Sequence, residues 1–129
     1  MEKIILDTNI LIEISRNNLE IIQVYDNLDD NSLFITSVVF AEFMKGIKNK
    51  ESLTPYLKFL SKFNLLYANN ETEDKFIELF KLYSLSHQPA IADMQIASVC
   101  IQNDAQLFTL NQKDFSFIPE LKLLTNSIR

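Results

Sequence analysis

Runs of apolar residues alternate with helically spaced apolar residues, which predicts a chain that switches repeatedly between strand and helix. Residues 3–6, for example, are mostly apolar and β-branched, as expected for a strand buried on both faces. Similar runs predict strands at residues 3–6, 33–36, 65–67, 106–110 and 121–124. Helical spacing predicts helices in the segments 9–28, 37–47, 56–63, 70–83 and 90–100.

Local signals set several helix boundaries. The pair Asn17-Asn18 interrupts segment 9–28, which is therefore expected to form two helices. Thr54-Pro55 predicts the start of a helix, because proline is well tolerated at the first helical position. Asn70 is expected to begin the next helix, with Glu73 three residues later as in a capping box.

Strands that alternate with helices favour a parallel sheet covered on both faces. We therefore expect an α/β fold, a three-layer α/β/α sandwich around a central parallel sheet. No repeat, low-complexity tract or linker divides the sequence, so residues 1–129 are expected to form a single domain. In such folds, functional sites form at the carboxyl ends of the strands.

Composition narrows the class of protein and its compartment. Apolar residues make up 47% and charged residues 22% of the chain, an ordinary balance for a globular protein. The lone cysteine, Cys100, excludes an internal disulfide framework and a cysteine-rich zinc site. No signal peptide is visible and no segment approaches the ~20 apolar residues of a membrane span, so a reducing cytoplasm is expected.

The charge of the chain limits how it can bind nucleic acid. Its net charge is −5, from 12 basic and 17 acidic residues, so a broadly basic nucleic-acid footprint is absent. A metal-dependent enzyme that acts on nucleic acid remains possible, because it needs carboxylates at its centre. Gly46, the single glycine, excludes a glycine-rich phosphate loop and indicates a helix end or a close backbone approach.

Three acidic residues occupy unusual positions. Asp7 follows the first strand directly, where it either caps the next helix or belongs to a site. Glu42 lies among apolar residues of a helix. It either belongs to a site or lies on an exposed face of the helix, where it would pair with Lys45. Asp93 lies in a helix that is apolar on most sides, without an adjacent basic residue. A bound cation or a water-filled cleft explains such a carboxylate most simply, whereas an exposed strip of the helix is the alternative.

A polar loop follows the fourth predicted strand and carries Asn111 and Asp114, which are also ordinary loop residues. Acids at the ends of separate elements of a parallel α/β domain are expected to converge on one edge of the sheet. Oxygen ligands without histidine or cysteine suit Mg²⁺ or Mn²⁺ rather than zinc. Such a cluster is a setting for phosphodiester hydrolysis, in which the metal activates water and stabilises charged oxygens.

The order of these motifs resembles the PIN-domain nucleases, most closely the VapC-like toxins of bacterial toxin–antitoxin pairs. The resemblance covers nearly the whole chain and consists of LDTN-I-L-I at the start, Glu42 with Gly46 four residues later, Asp93 in IADMQIAS, and TLNQKDF near the end. It implies a PIN-like α/β/α fold and endoribonuclease activity that depends on Mg²⁺ or Mn²⁺. It also implies an RNA substrate, a homodimer, and a cognate antitoxin that blocks the site.

The resemblance also assigns roles to residues. Asp7, Glu42 and Asp93 match the metal-binding and catalytic acids. Asn111 stands where the family often has Asp, so a neutral ligand there weakens one metal subsite, and Asp114 is a further candidate ligand. Positions that support the acids by hydrogen bonding are matched by Thr8, Asn9 and Thr109. The candidate substrate contacts are Lys45, Lys48, Lys50 and Lys113.

Two rival functions follow from the same residues. Asn111 favours a catalytically inactive PIN-fold module that binds without hydrolysing RNA. The acidic pocket is also a feature of phosphatases of the haloacid-dehalogenase type and of response-regulator receivers. The phosphatases require Asp at position 9, where this chain has Asn9. The receivers require paired acids directly after the first strand, but here Thr8 follows Asp7.

Overall fold

A computed structural model describes residues 2–124 and shows an α/β fold around a five-stranded parallel sheet. The strands are β1 (Ile4–Leu6), β2 (Leu33–Thr36), β3 (Asn64–Leu66), β4 (Gln106–Phe108) and β5 (Lys122–Leu123). The helices are α1 (Thr8–Ser15), α2 (Leu19–Asp26), α3 (Ser37–Met44), α4 (Leu53–Leu60), α5 (Asn70–Tyr83) and α6 (Ile91–Gln102). The expected parallel sheet is therefore confirmed.

The order of strands in the sheet is β3-β2-β1-β4-β5, and every neighbouring pair is parallel. The chain first moves outward from β1 to β3 and then returns past β1 to form β4 and β5. Because parallel crossovers are right-handed, this reversal sends α1–α4 and α5–α6 to opposite faces of the sheet. The reversal also opens a crevice between the carboxyl ends of β1 and β4, where ligands bind in folds of this kind.

The core lies between the sheet and these helices. All three residues of β1 are buried, and Ile5 and Leu6 are fully inaccessible to solvent. Helix α6 is buried on most of its sides through Met94 and the residues from Ile96 to Cys100. Burial of this kind is the main stabilising contribution to the fold, roughly 1.5–3 kcal/mol for each large apolar side chain. In the part of the chain that the structure describes, no helix combines the length and the apolar character needed to cross a membrane.

The start of α4 and the cap of α5 differ from the sequence prediction. Helix α4 begins at Leu53 and ends at Leu60, because a 3₁₀ turn over Lys50–Ser52 leads directly into it. Pro55 is therefore the third helical residue, where its missing N–H is still one of the four without an intrahelical partner. Helix α5 begins at Asn70 as predicted, but its cap is formed by Asn69 and Thr72 rather than by Asn70 and Glu73.

The capping box of α5 consists of Asn69 and Thr72. The side chain of Asn69 accepts a hydrogen bond from the Thr72 backbone N–H at 3.0 Å, and the Thr72 hydroxyl accepts one from the Asn69 N–H at 2.7 Å. Threonine takes the place that Glu or Gln has in the usual motif, and this substitution hides the motif from sequence inspection.

Gly46 follows the end of α3, and both expectations for it are confirmed. A Cβ atom at this position would lie 3.2 Å from the carbonyl oxygen of Phe43 and 3.6 Å from the hydroxyl of Tyr56. The space is tight for any other residue, and Tyr56 also donates a hydrogen bond to the Gly46 carbonyl at 3.4 Å.

Candidate functional site

Asp7 lies at the carboxyl end of β1 and is only 5% exposed. It is the N-cap of α1: its Oδ1 accepts a hydrogen bond from the Thr8 backbone N–H at 2.8 Å. Its Oδ2 accepts a second one from the Thr109 hydroxyl at 2.7 Å. The cap, one of the two interpretations that the sequence offered, is therefore observed, and the same carboxylate also lies near the acids Glu42 and Asp114.

Asn9 ties the start of α1 to the loop after β4. Its Nδ2 lies 3.4 Å from both Asp7 Oδ2 and Thr109 Oγ1, and its Oδ1 accepts a hydrogen bond from the Leu110 backbone N–H at 3.2 Å. This turn of the backbone toward α1 ends β4 at Phe108, two residues before the predicted end. Asn9 and Thr109 therefore both contact the Asp7 carboxylate, and their role as supporting residues of a site stays a prediction.

Glu42 reaches the same region from α3. Its Oε1 accepts a hydrogen bond from the Thr8 hydroxyl at 2.6 Å, although the glutamate itself is on the exposed side of its helix. The alternative partner Lys45 is the C-cap of α3 and lies on the exposed surface. Thr8 thus connects two acids, Asp7 through its backbone and Glu42 through its side chain.

Asp93 lies in the first turn of α6 and is half-buried. The pKa of its carboxyl group is raised to about 6, first by burial and then by the negative charges of Asp7, Asp114 and Glu42. Burial likewise raises the pKa of Asp7, against the hydrogen bonds from Thr109 and Thr8, and the charges of Glu42 and Asp114 add to the rise. Four carboxylates from separate elements are therefore close enough to repel one another.

The loop after β4 brings Asp114 to this group. Asp114 ends a 3₁₀ turn over Gln112–Asp114 and lines a cavity together with Asp93. Asn111 is exposed, and its backbone N–H donates to Thr109 Oγ1 at 3.1 Å. Its side chain does not cap the turn that follows it.

A cavity of about 280 Å³ adjoins the acids, and its walls include residues that the sequence analysis left out. Asp93, Lys113 and Asp114 line one side of it. The rings of His87 and Phe117 form another wall and are stacked, with their centroids 4.1 Å apart and their planes at 16°. The remaining lining residues are Gln88, Pro89 and Ala90. The sequence indicated their place in the cavity wall only through proximity: His87 precedes Asp93 by six residues, and Phe117 follows Asp114 by three.

The candidate lysines fall into two groups. Lys113 lines the cavity beside Asp93 and Asp114. Lys45 is the C-cap of α3, Lys48 lies in the loop that follows, and Lys50 begins the 3₁₀ turn before α4. All three are exposed. The structure thus brings one of the four next to the acids.

The donors suit a hard divalent cation in kind, since they are carboxylate, amide and hydroxyl oxygens. Among residues 2–124, however, no three side chains of the His, Cys, Asp and Glu types are arranged to hold a metal ion as they stand. Mg²⁺ binds through one or two carboxylates and keeps several water molecules, so it does not require such a cage. The repulsion that raises the pKa of Asp93 would be relieved by a cation. The residues therefore fit a hydrated divalent ion.

Comparison with known proteins assigns this chain to a family. The sequence model of the PIN domain family matches residues 4–121 of this chain. The chain is 31% identical over 132 residues to a protein named Ribonuclease VapC from Rickettsia bellii (strain RML369-C), and the alignment covers 95% of each chain.

Two solved structures have the same fold. VapBC2 from Rickettsia felis, bound to a DNA fragment from its promoter, is 29% identical, with a TM-score of 0.81 over 94% of this chain and 96% of that chain. VapBC-1 from nontypeable Haemophilus influenzae is 26% identical, with a TM-score of 0.82 and the same coverage of both chains. These similarities extend along nearly the whole of each chain.

Proposed function

The chain belongs to the PIN-domain family, and on that premise we propose that it is a metal-dependent endoribonuclease that hydrolyses RNA phosphodiester bonds. Like the VapC proteins that it resembles, it is the toxin of a toxin–antitoxin pair. The observation that carries this proposal is the approach of Asp7, Glu42, Asp93 and Asp114 to one another at the switch point between β1 and β4.

The proposed site uses Asp7 and Asp93 to hold a Mg²⁺ or Mn²⁺ ion. When bound, the ion activates a water molecule and stabilises the negative charge that develops on the phosphate oxygens. Glu42 orients the attacking water or completes the ligand set. Asp114 supports the proposed site directly or through water, and is favoured over Asn111 because it shares a cavity with Asp93.

The surrounding hydrogen bonds support this assignment of roles. Thr109 and the Thr8 N–H hold the two oxygens of Asp7, so the carboxylate keeps one orientation while it is desolvated. The Thr8 hydroxyl does the same for Glu42. Groups of this kind that orient metal ligands typically contribute 10–100-fold to metal affinity or activity.

Two proposed partners are proteins. A largely apolar groove between α1, α3 and α4 is lined by Ser15, Phe43, Pro55, Tyr56 and Phe59. This groove suits a segment of the antitoxin. Exposed apolar side chains on and after α5 suit the contact of a homodimer, namely Ile77, Leu82 and Leu85. Light scattering of wild-type protein and Ile77→Asp tests the second assignment, because a dimer through this face would dissociate in the variant.

We further propose that residues 1–129 act as a single domain in the cytoplasm, where the RNA substrates are. The described residues share one hydrophobic core that takes side chains from β1, β2, β4 and all six helices, which supports a single domain.

The rival functions differ in what supports them. The PIN-domain match contradicts the phosphatase and receiver alternatives. The inactive binding module was favoured by the neutral Asn111, but Asp114 supplies an acid near Asp93 from the same loop. We therefore favour the enzyme.

Cleavage of RNA tests the proposal directly. Purified protein is incubated with RNA in Mg²⁺, in Mn²⁺ and in EDTA. We expect cleavage with the ions and none in EDTA, and a loss of about 100-fold or more in Asp7→Asn. Asparagine still caps a helix, so this variant should fold.

The matched control is Asp104→Asn, which removes an exposed carboxylate that pairs with Lys122. It should cleave at the wild-type rate. Absence of wild-type cleavage with both ions would support the binding module instead.

A further inference from the structure

We infer that the cavity beside the acids is a subsite for one unpaired nucleotide, in which a nucleobase stacks on the ring of His87. This inference rests on the proposed ribonuclease function and names a side chain that binds a base of the RNA substrate.

The geometry of the aromatic residues leaves one face of His87 available. Phe117 covers the other face in a near-parallel stack. Tyr83 is perpendicular to both rings, with its centroid 5.7 Å from that of His87 and 5.0 Å from that of Phe117. Because Tyr83 is at a similar distance from both, it packs against the side of the stack and not over its outer face. His87 itself is exposed to solvent.

The backbone and side chains around His87 hold the ring in place. The Ser86 hydroxyl forms a hydrogen bond with His87 Nδ1 at 2.7 Å. Gln88 has a φ of 44°, a left-handed conformation that is uncommon for a residue other than glycine. Backbone strain of this kind is often found at functional sites. A ring fixed on three sides binds a flat ligand with little loss of conformational freedom.

The size and polarity of the cavity suit a nucleotide. Its volume of about 280 Å³ exceeds that of a nucleobase. Lys113 provides a cation for a phosphate group, and the acids Asp93 and Asp114 line the same cavity. A nucleotide stacked on His87 would therefore carry its phosphate toward the acids.

The charge of the chain strengthens the argument. With 12 basic and 17 acidic residues, the protein gains little from release of the counterions of RNA, which is the usual source of affinity. Base stacking on an aromatic ring is another source of affinity, and it depends little on sequence. In a duplex the faces of each base are covered by their neighbours, so only an unpaired base can use this ring.

The test compares His87→Ala with His87→Phe in steady-state cleavage of a single-stranded RNA. His87→Ala should raise KM roughly tenfold, with kcat within about twofold of wild type. His87→Phe should restore KM, because phenylalanine keeps a flat stacking surface. The control Leu19→Ala, which changes a side chain that is 74% exposed on α2, should leave both constants unchanged.

A spectroscopic measurement separates stacking from a structural role. In the inactive Asp7→Asn background, the fluorescence of a 2-aminopurine base in the RNA should be quenched on binding. His87→Ala should lose this quenching and His87→Phe should keep it.

An unchanged KM in His87→Ala, a fall in kcat alone, or a failure of His87→Phe to restore KM would each overturn the subsite. If wild-type protein cleaves no RNA, the proposed function fails, and the 2-aminopurine quenching still decides the subsite independently.

Discussion

Asp7 has a structural role as the N-cap of α1, and we propose a chemical role for the same carboxylate. The carboxylate is buried, which is unfavourable for a charge, but hydrogen bonds from Thr8 and Thr109 stabilise its ionised form. The same bonds direct it toward Asp93 and Glu42. A strand can therefore end on a buried acid because hydrogen bonds from neighbouring residues offset part of the cost of burying the carboxylate.

Thr109→Val should destabilise the protein and weaken metal binding, whereas Thr109→Ser should not. Valine keeps the volume but removes the hydroxyl from a residue that is 2% exposed. Loss of a hydrogen bond to a charged group reduces the free energy of unfolding by about 1.5–3 kcal/mol. Urea denaturation and Mn²⁺ titration of the two variants measure the effect. Equal stability of Thr109→Val and wild type at neutral pH would show that Asp7 does not depend on this bond.

The sequence predicted some residues of the site better than others. Asp7, Glu42 and Asp93 each stand out against an apolar local pattern, so their unusual surroundings are visible without a structure. The choice between Asn111 and Asp114 depends on a 3₁₀ turn that no pattern specifies. His87 looked like an ordinary loop residue, because its stacking partner Phe117 is thirty residues away in the chain.

At the scale of elements, periodicity predicted the existence of every strand and helix but not all of their ends. The start of α4 was wrong because the preceding turn over Lys50–Ser52 supplies the first helical geometry. The cap of α5 was wrong because threonine can replace glutamate in the box. The order of strands depends on long-range pairing, and it alone puts the ends of β1 and β4 side by side.

Asn69→Ala should destabilise α5, whereas Asn70→Ala should not. Loss of an N-cap costs about 1 kcal/mol, which lowers the Tm of a domain of this size by about 4 °C. Asn70 is the first residue inside the helix, where alanine has the higher helix propensity. Thermal unfolding followed by circular dichroism compares the two. A larger loss in Asn70→Ala would mean that the cap lies one residue later.

At the scale of the whole molecule, the site is a source of electrostatic strain that a cation relieves. The acids come from both halves of the fold: Asp7 and Glu42 from α1–α3 and their strands, and Asp93 and Asp114 from the later elements. Their repulsion is therefore part of the balance between folded and unfolded protein. Both pH and metal concentration should change that balance.

In EDTA, the protein should lose stability as the pH rises from about 4 to about 6. The pKa of Asp93 is raised from 3.8 to about 6 in the folded state, so the folded protein binds the proton more tightly than the unfolded chain. That contribution is complete below pH 3.8 and is lost above pH 6. Since Asp93 is partly exposed, screening reduces the expected effect to about 1 kcal/mol.

Urea denaturation at several pH values measures this loss, and Asp93→Asn serves as the comparison. The variant lacks the titrating group, so its free energy of unfolding should fall less over the same interval. Parallel pH profiles for the two proteins would contradict the assignment.

Mn²⁺ should raise the Tm of the wild-type protein at neutral pH. A ligand present at 100 times its Kd adds about 2.7 kcal/mol to the free energy of unfolding. Asp93→Asn should lose most of this rise, while Asp104→Asn should keep it. A rise of equal size in all three proteins would indicate binding away from the acids.

The central claim is that the acids at the β1–β4 switch point hold one divalent ion. A crystal grown or soaked with Mn²⁺ and measured at a wavelength with strong manganese anomalous scattering tests it most directly. We expect an anomalous peak in contact with the carboxylates of Asp7 and Asp93. A well-occupied peak elsewhere on the protein, with both carboxylates free of metal, would contradict the account.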